Sequence, residues 1–238
     1  MRLFKSTFSA NWKYIIGELL LIVVGVTLAL MASASYESWQ ARQDERRSLE
    51  QISLALKDDL AFLQENFESL KQNEQNLLAL LELLRHDELG QEAQPYFLSV
   101  TAWRGIELRT GPYDELKARG LSLISSDSLR LKLVNLYDSS FGWLQGVTEH
   151  DEVFSRDQIY PYVYEHFRGV GTGELEPANG YAAMDTDLYF ENLVAMKLQR
   201  LQARLLPSYE ETLALVREVL VDIHEEMGGA QTNARGSE

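Results

Sequence analysis

The side chains able to do chemistry are few and dispersed. Four histidines stand at His86, His150, His166 and His224, and cysteine is absent. Without thiols, disulfides, thiolate-ligated zinc and iron–sulfur centres are excluded. The densest metal-capable run is Glu149, His150, Asp151 and Glu152. Adjacent helical residues point in different directions, so this run reads as a solvated acidic helix start rather than a ligand set. His224, Glu225 and Glu226 lack the second histidine of the H-E-x-x-H metalloprotease helix. Gly169, Gly171 and Gly173 invite a phosphate-loop reading, but neither the preceding strand nor the loop lysine is present, and a connecting loop fits better. No G-x-S-x-G nucleophile elbow occurs. Tyr160, Tyr162, Tyr164 and Tyr181 read as packing and interface aromatics. The expectation is a chain with no catalytic residue, no resident metal and no cofactor.

One acid stands out by its surroundings. Residues 15–34 read IIGELLLIVVGVTLALMASA, with Glu18 the only ionisable residue. At about 1.5 Å per residue the run spans roughly 30 Å, the hydrocarbon thickness of a bilayer. Trp12 and Tyr14 on one side, and Tyr36 and Trp39 on the other, suit the head-group layers. Glu18 sits about one turn inside, close enough to reach the interface. A sharper reading uses spacing. Glu18, Gly25, Ala29 and Ser33 share one helix face, and the last three form a small-xxx-small stripe that permits close helix contact. A cleaved signal peptide is the rival reading, since residues 32–34 are Ala-Ser-Ala. The apolar run exceeds the typical 7–15 residues of a signal core, which favours a retained helix.

The flanks bear on orientation. Arg2, Lys5 and Lys13 precede the span, and Arg42, Arg46 and Arg47 follow it. The leading flank is short and purely basic and the trailing one is mixed. The expectation is residues 1–14 in the cytoplasm and a C-terminal domain, 35–227, on the outer side of a bacterial inner membrane. The net charge of −14 is uneven: residues 1–43 hold four basic against two acidic side chains, leaving −16 for the remainder. So acidic a domain repels nucleic acid and anionic head groups.

Behind the span, leucine recurs every seven residues at Leu49, Leu56, Leu63, Leu70, Leu77 and Leu84. Taken as d positions, they pair with Ser53, Leu60, Phe67, Glu74 and Leu81 at a, a heptad seam with two polar interruptions. Such a seam suits a parallel coiled coil between two copies or packing against later helices of the same chain; the need of those helices for a partner favours the second. After a break near Gly90, further helices are expected. One starts at Thr110–Pro112 and stops at Gly120; one is capped within 125–127 and carries Leu129, Leu133, Leu136 and Phe141; one covers 148–167, where Pro161 should kink or split it. A loop over 169–180 follows, then a final region, capped by Asp185 or Thr186 and interrupted at Pro207, with the stripe Leu205, Tyr209, Leu213, Val216, Leu220, Ile223 and Met227. Residues 228–238 read as a disordered tail.

Tyr14, Gly17, Glu18, the aliphatic run 19–24, Gly25 and the triplet Leu28, Ala29, Leu30, with Trp39 beyond, resemble the anchor of a family of bacterial single-pass membrane proteins of unknown function. Tyr113, Leu116, Gly120, Ile124, Leu129 and Tyr137 resemble a second stretch of that family. The resemblance implies an anchor joined to a helical domain and carries no activity with it. The sequence thus points to an all-α protein with one transmembrane helix continuing into a long helix of a bundle. The function that suits this layout is a non-enzymatic scaffold or accessory subunit binding another membrane protein or itself. A helical domain sensing a small molecule or cation is the alternative.

Overall fold

The structure, a computed structural model, describes residues 8–86 and 88–235. The fold is all-α, with one two-residue strand pair. The chain divides into two compact units, Met1–Ser48 and Leu49–Glu238. Helix α1 spans Phe8–Arg85. Of the expected N-terminal segment 1–14, residues 1–7 lie outside the described residues, and the helix has already begun at Phe8.

Within the first unit, residues 15–34 are helical throughout with every side chain exposed. This is a helix long and apolar enough to cross a membrane. Its threonine is satisfied by its own backbone, Thr27 Oγ1 donating to the Val23 carbonyl at 2.8 Å, and just beyond it Ser35 Oγ donates to that of Met31 at 2.8 Å. Such back-bonding is what hydrocarbon surroundings demand of a polar side chain.

The second unit is built on the face that α1 presents from Leu49 onward. All six seam leucines are between 0% and 4% exposed, each worth about 1.5–3 kcal/mol when buried. A third heptad position is buried with them: Ile52, Asp59, Asn66, Asn73 and Leu80. Three buried positions in seven make a face wide enough for several helices, whereas a two-stranded coiled coil buries only two. The seam is therefore consumed inside the chain.

Two long rods cover that face. The first joins α4 (Asp127–Val134), α5 (Phe141–Phe154) and α6 (Tyr160–His166); the second joins α8 (Leu188–Arg200) and α9 (Leu206–Arg235). Helices α4 and α5 both lie against α9. Ahead of them in the chain, α2 (Gln94–Thr101) and α3 (Gly111–Arg119) add Phe97, Val100, Tyr113 and Leu116 to the core. Three expected signals do their work: Pro112 lies in the first turn of α3, Gly120 ends it at φ +108°, and Ser126 Oγ accepts the Leu129 N–H at 3.3 Å to start α4.

At the prolines expected to kink or split the helices, the rods change geometry without ending. Their segments are joined by π-turns at Asn135–Ser140, Ser155–Ile159 and Leu201–Leu205. In each the chain bonds five residues back: Phe141 N–H to the Leu136 carbonyl, Tyr160 N–H to that of Ser155 and Leu206 N–H to that of Leu201. Pro161 and Pro207 each follow by two residues. A proline ring clashes with the carbonyl four residues earlier, and that carbonyl, at Asp157 or Ala203, lies inside the widened turn. The buried stripe shows the same adjustment. Leu129, Leu133, Tyr137 and Phe141 are buried at steps of four, as are Asp151, Ser155, Ile159 and Val163, and Leu201, Leu205, Tyr209 and Leu213. On a plain α-helix each step of four overshoots a full turn by about 40°; the extra residue of a π-turn takes up that drift.

Between the rods, the expected loop is a small hairpin. Strand β1 (Phe167–Arg168) pairs antiparallel with β2 (Glu176–Pro177). Gly169 turns the chain at φ +77°, where a Cβ would fall 2.0 Å from the Glu174 carbonyl oxygen. The short α7 (Tyr181–Asp185) follows. The cap of α8 is Asp187, not Asp185 or Thr186: it accepts the N–H groups of Tyr189 and Phe190 at 2.9 and 3.2 Å. Asp185 instead accepts the Leu89 N–H, fixing the chain where it leaves α1. At the C-terminus α9 continues to Arg235, past the Gly228 at which a disordered tail was expected to start; residues 236–238 lie outside the described residues.

A nine-residue strap without regular structure, 102–110, runs between α2 and α3. Asp59, 2% exposed, holds it by accepting the Arg109 N–H with both carboxylate oxygens at 3.1 and 3.2 Å. Burial pushes the Asp59 carboxyl above its ordinary value, and the Arg109 N–H partly opposes this. A raised folded-state pKa means that ionising Asp59 costs stability as pH rises through it, and that the cost is absent below the unfolded value near 3.8. Two variants separate charge from hydrogen bond. Asp59→Asn keeps an acceptor and should melt close to wild type at pH 7, the comparison moving toward wild type as pH falls to about 4. Asp59→Leu strands the Arg109 N–H and should lose about 1–3 kcal/mol. Equal melting temperatures for the two variants in detergent would show that the latch carries nothing.

Candidate functional site

The membrane-helix face lies wholly in the first unit. Glu18, Gly25, Ala29 and Ser33 are all exposed on α1, their spacing placing them within about 80° around the helix axis. A Cβ added at Gly25 meets nothing within 4 Å, so this surface is open. At its far end the Ser33 hydroxyl donates to Glu37 at 3.3 Å, and Tyr36 and Trp39 pack ring to ring at 6.2 Å. The seam leucines belong to the core of the second unit, packed within the chain as the sequence favoured.

The second unit holds a charged centre that sequence reasoning missed. Lys197 of α8 is 2% exposed, and its ammonium donates to Asp151 Oδ2 at 2.8 Å and to Ser155 Oγ at 2.9 Å. Asp151 and Ser155 belong to the first rod and are equally buried. Burial lowers the Lys197 pKa, while the Asp151 carboxylate opposes the shift. A lysine beside a serine hydroxyl is the raw material of acyl-transfer chemistry. Here the ammonium is neutralised by Asp151 and Ser155 exposes no surface, so an acyl group has no route to its oxygen. The arrangement acts as a clamp between rods. Arg200, one turn on, extends it by donating to the His150 carbonyl at 2.7 Å and lying 4.8 Å from the Phe154 ring centre. The signal in the sequence was two opposite charges, each on an apolar stripe: Leu193, Val194, Lys197, Leu198 and Leu144, Val147, Asp151, Phe154.

The histidines do not converge. His166 stacks on Tyr162 at 4.2 Å, and His150 contributes only its carbonyl. Among the described residues no group of three metal-capable side chains forms. Of the tyrosines, Tyr162 is core: its hydroxyl donates to Asp187 at 2.6 Å, and burial together with that carboxylate raises its pKa. Tyr164 is exposed and stacks on Tyr160, which accepts the Trp103 indole N–H at 3.1 Å. Tyr181 packs against Phe97. Five residues of the second resembling stretch, Tyr113, Leu116, Ile124, Leu129 and Tyr137, are all buried, with Tyr113 and Tyr137 stacked at 4.3 Å. Their shared property is packing.

The clamp makes a definite prediction. Lys197→Met alone leaves Asp151 buried and unpaired and should cost about 3–5 kcal/mol, on the order of 10 °C in melting temperature for a domain of this size. Combining it with Asp151→Leu should restore most of the loss. A double variant as unstable as the single would show that packing volume, not charge pairing, sets the cost.

No family model matches this chain, and no curated protein or solved structure matches it either, so any function must be argued from these sites themselves.

Proposed function

We propose that this chain is a non-enzymatic scaffold or accessory subunit of the bacterial envelope, held by the helix at 15–34 and working by association with another membrane protein or with a second copy. One observation carries the reading. The apolar helix has none of its side chains covered within the chain, and its one acid shares a face with an open small-residue stripe. In a bilayer, lipid covers apolar side chains well, but a carboxyl group is better placed against a partner helix. The closed core of the second unit supports the same reading, because its seam leucines and its Lys197–Asp151–Ser155 centre are occupied inside the chain. The short, purely basic leading flank supports an orientation with residues 1–14 in the cytoplasm and the acidic domain on the outer side of the inner membrane.

Cross-linking in native membranes followed by extraction in mild detergent should recover a stable partner or a homodimer. Gly25→Leu fills the stripe and should reduce that yield several-fold while leaving the melting temperature of the helical domain unchanged. A lone monomer indifferent to Gly25→Leu sinks the proposal. Orientation is tested separately with a reporter fused after Glu238: activity of a periplasm-dependent reporter is expected, and activity of a cytoplasm-dependent one reverses the assignment.

A further inference from the structure

Alongside the leucine seam, α1 carries a polar row in which Asp59, Asn66 and Asn73 are buried seven residues apart. Asp59 is bonded to the strap. Asn66 lies against the Tyr209 hydroxyl, and its amide makes no hydrogen bond beyond it. The Asn73 side chain makes none and opens into a cleft of about 430 Å³ between α1 and the start of the strap. Ser69, Gln72, Asn76, Trp103 and Arg104 line that cleft with it. Buried amides are normally bonded to protein or to water, and one that faces a cleft is available to a ligand.

The cleft's charge is opposite to its domain's. Its lining contains no carboxylate, although the chain carries a net −14. Arg104 has no carboxylate partner among the described residues. Its Nε donates to Ser69 Oγ at 2.9 Å, which fixes the guanidinium plane and leaves both terminal nitrogens unengaged. Gln72 donates to Asn76 Oδ1 at 3.0 Å and Asn76 donates to Ser99 at 2.9 Å, so the amides around Asn73 are held in place. The Trp103 indole is fixed by Tyr160, which also donates to the Thr101 carbonyl at the end of α2.

We infer that this cleft binds a small organic monocarboxylate bearing hydroxyl or amide groups. A guanidinium held through Nε presents its other edge for two parallel bonds to one carboxylate. A single cation balances a single negative charge; a phosphate dianion would call for further cations or a helix N-terminus, and the lining supplies neither. Asn73 then bonds the polar remainder of the ligand, and the half-exposed Trp103 ring covers its apolar side. The volume falls within the range of small-ligand pockets. The inference is independent of how the chain associates in the membrane.

The test uses the full chain, ¹⁵N-labelled and in mild detergent, titrated at constant ionic strength with sodium gluconate and with N-acetylglycine. The reporter is the Trp103 indole N–H resonance, identified by its loss in Trp103→Phe. A saturable shift is expected with at least one of the two carboxylates and none with glucose. Arg104→Gln, whose side chain is exposed, should melt within about 2 °C of wild type and bind at least about ten-fold more weakly, as expected when a charged two-bond contact is lost. Absence of saturation with both carboxylates, or equal affinity in Arg104→Gln, overturns the assignment. Inorganic phosphate binding as tightly as either carboxylate overturns the choice of a monoanion.

Discussion

The second unit depends on one constraint: α1 presents a buried face three positions wide from Leu49 to Leu84, and that face must be covered along its whole length. At about 1.5 Å per residue this is roughly 50 Å of apolar surface. Short helices joined by loops would leave gaps over it, exposing seam leucines at every junction. Two rods of 40 and 48 residues meet the demand, one over 127–166 and one over 188–235. Their continuity then becomes the problem, because each carries a proline. The π-turns resolve it by widening the helix where the proline ring would collide, without ending it. The Lys197–Asp151 pair fixes the first third of the second rod against the middle of the first, where sliding would otherwise change which residues meet.

Acidic residues do two different jobs in this chain. Many are solvated, as the charge balance suggests. Three are structural in a specific way: Asp59, Asp185 and Asp187 each accept backbone N–H groups where the chain is not helical or is about to become so. A backbone N–H outside a helix must find a partner when it is buried, and a carboxylate can take two at once. The strap, the exit from α1 and the start of α8 are all set this way. The cleft beside Arg104 is the counterpart, a place from which carboxylates are kept away.

What the sequence disclosed and what it hid divide along a physical line. Features fixed by near neighbours were legible. The apolar span follows from length alone, Pro112 and Gly120 bound α3, Ser126 starts α4, and the seven-residue leucine repeat marks the inner face of α1. Features fixed by distant partners were not. Asp59 finds Arg109 fifty residues away, Lys197 finds Asp151 forty-six residues back, and Tyr209 approaches Asn66 from the far end of the chain. A heptad reading also stops at two positions per repeat, so the third buried row was passed over. Pro161 and Pro207 mark where the helices change geometry, but the form of that change, a π-turn rather than a kink or a split, follows from the buried face they must keep aligned. The triple steps of four, from Leu129 to Phe141 and from Leu201 to Leu213, were in view as a spacing whose meaning was missed.

Those π-turns give the rods a property that ordinary helices lack: their two ends are out of phase with each other by design. Each widened turn works like a leap day, one extra residue inserted so that a count of four stays aligned with a pitch of 3.6. Losing a single residue within 135–140 would not merely shorten the first rod. It would rotate everything beyond it by about 100° relative to α4, carrying Asp151 and Ser155 away from Lys197 and Leu144 away from the core. Gaining or losing one residue at such a turn is thus a change of facing rather than of length. Chains built on the same plan can differ there by one position and present altered surfaces from the same side chains.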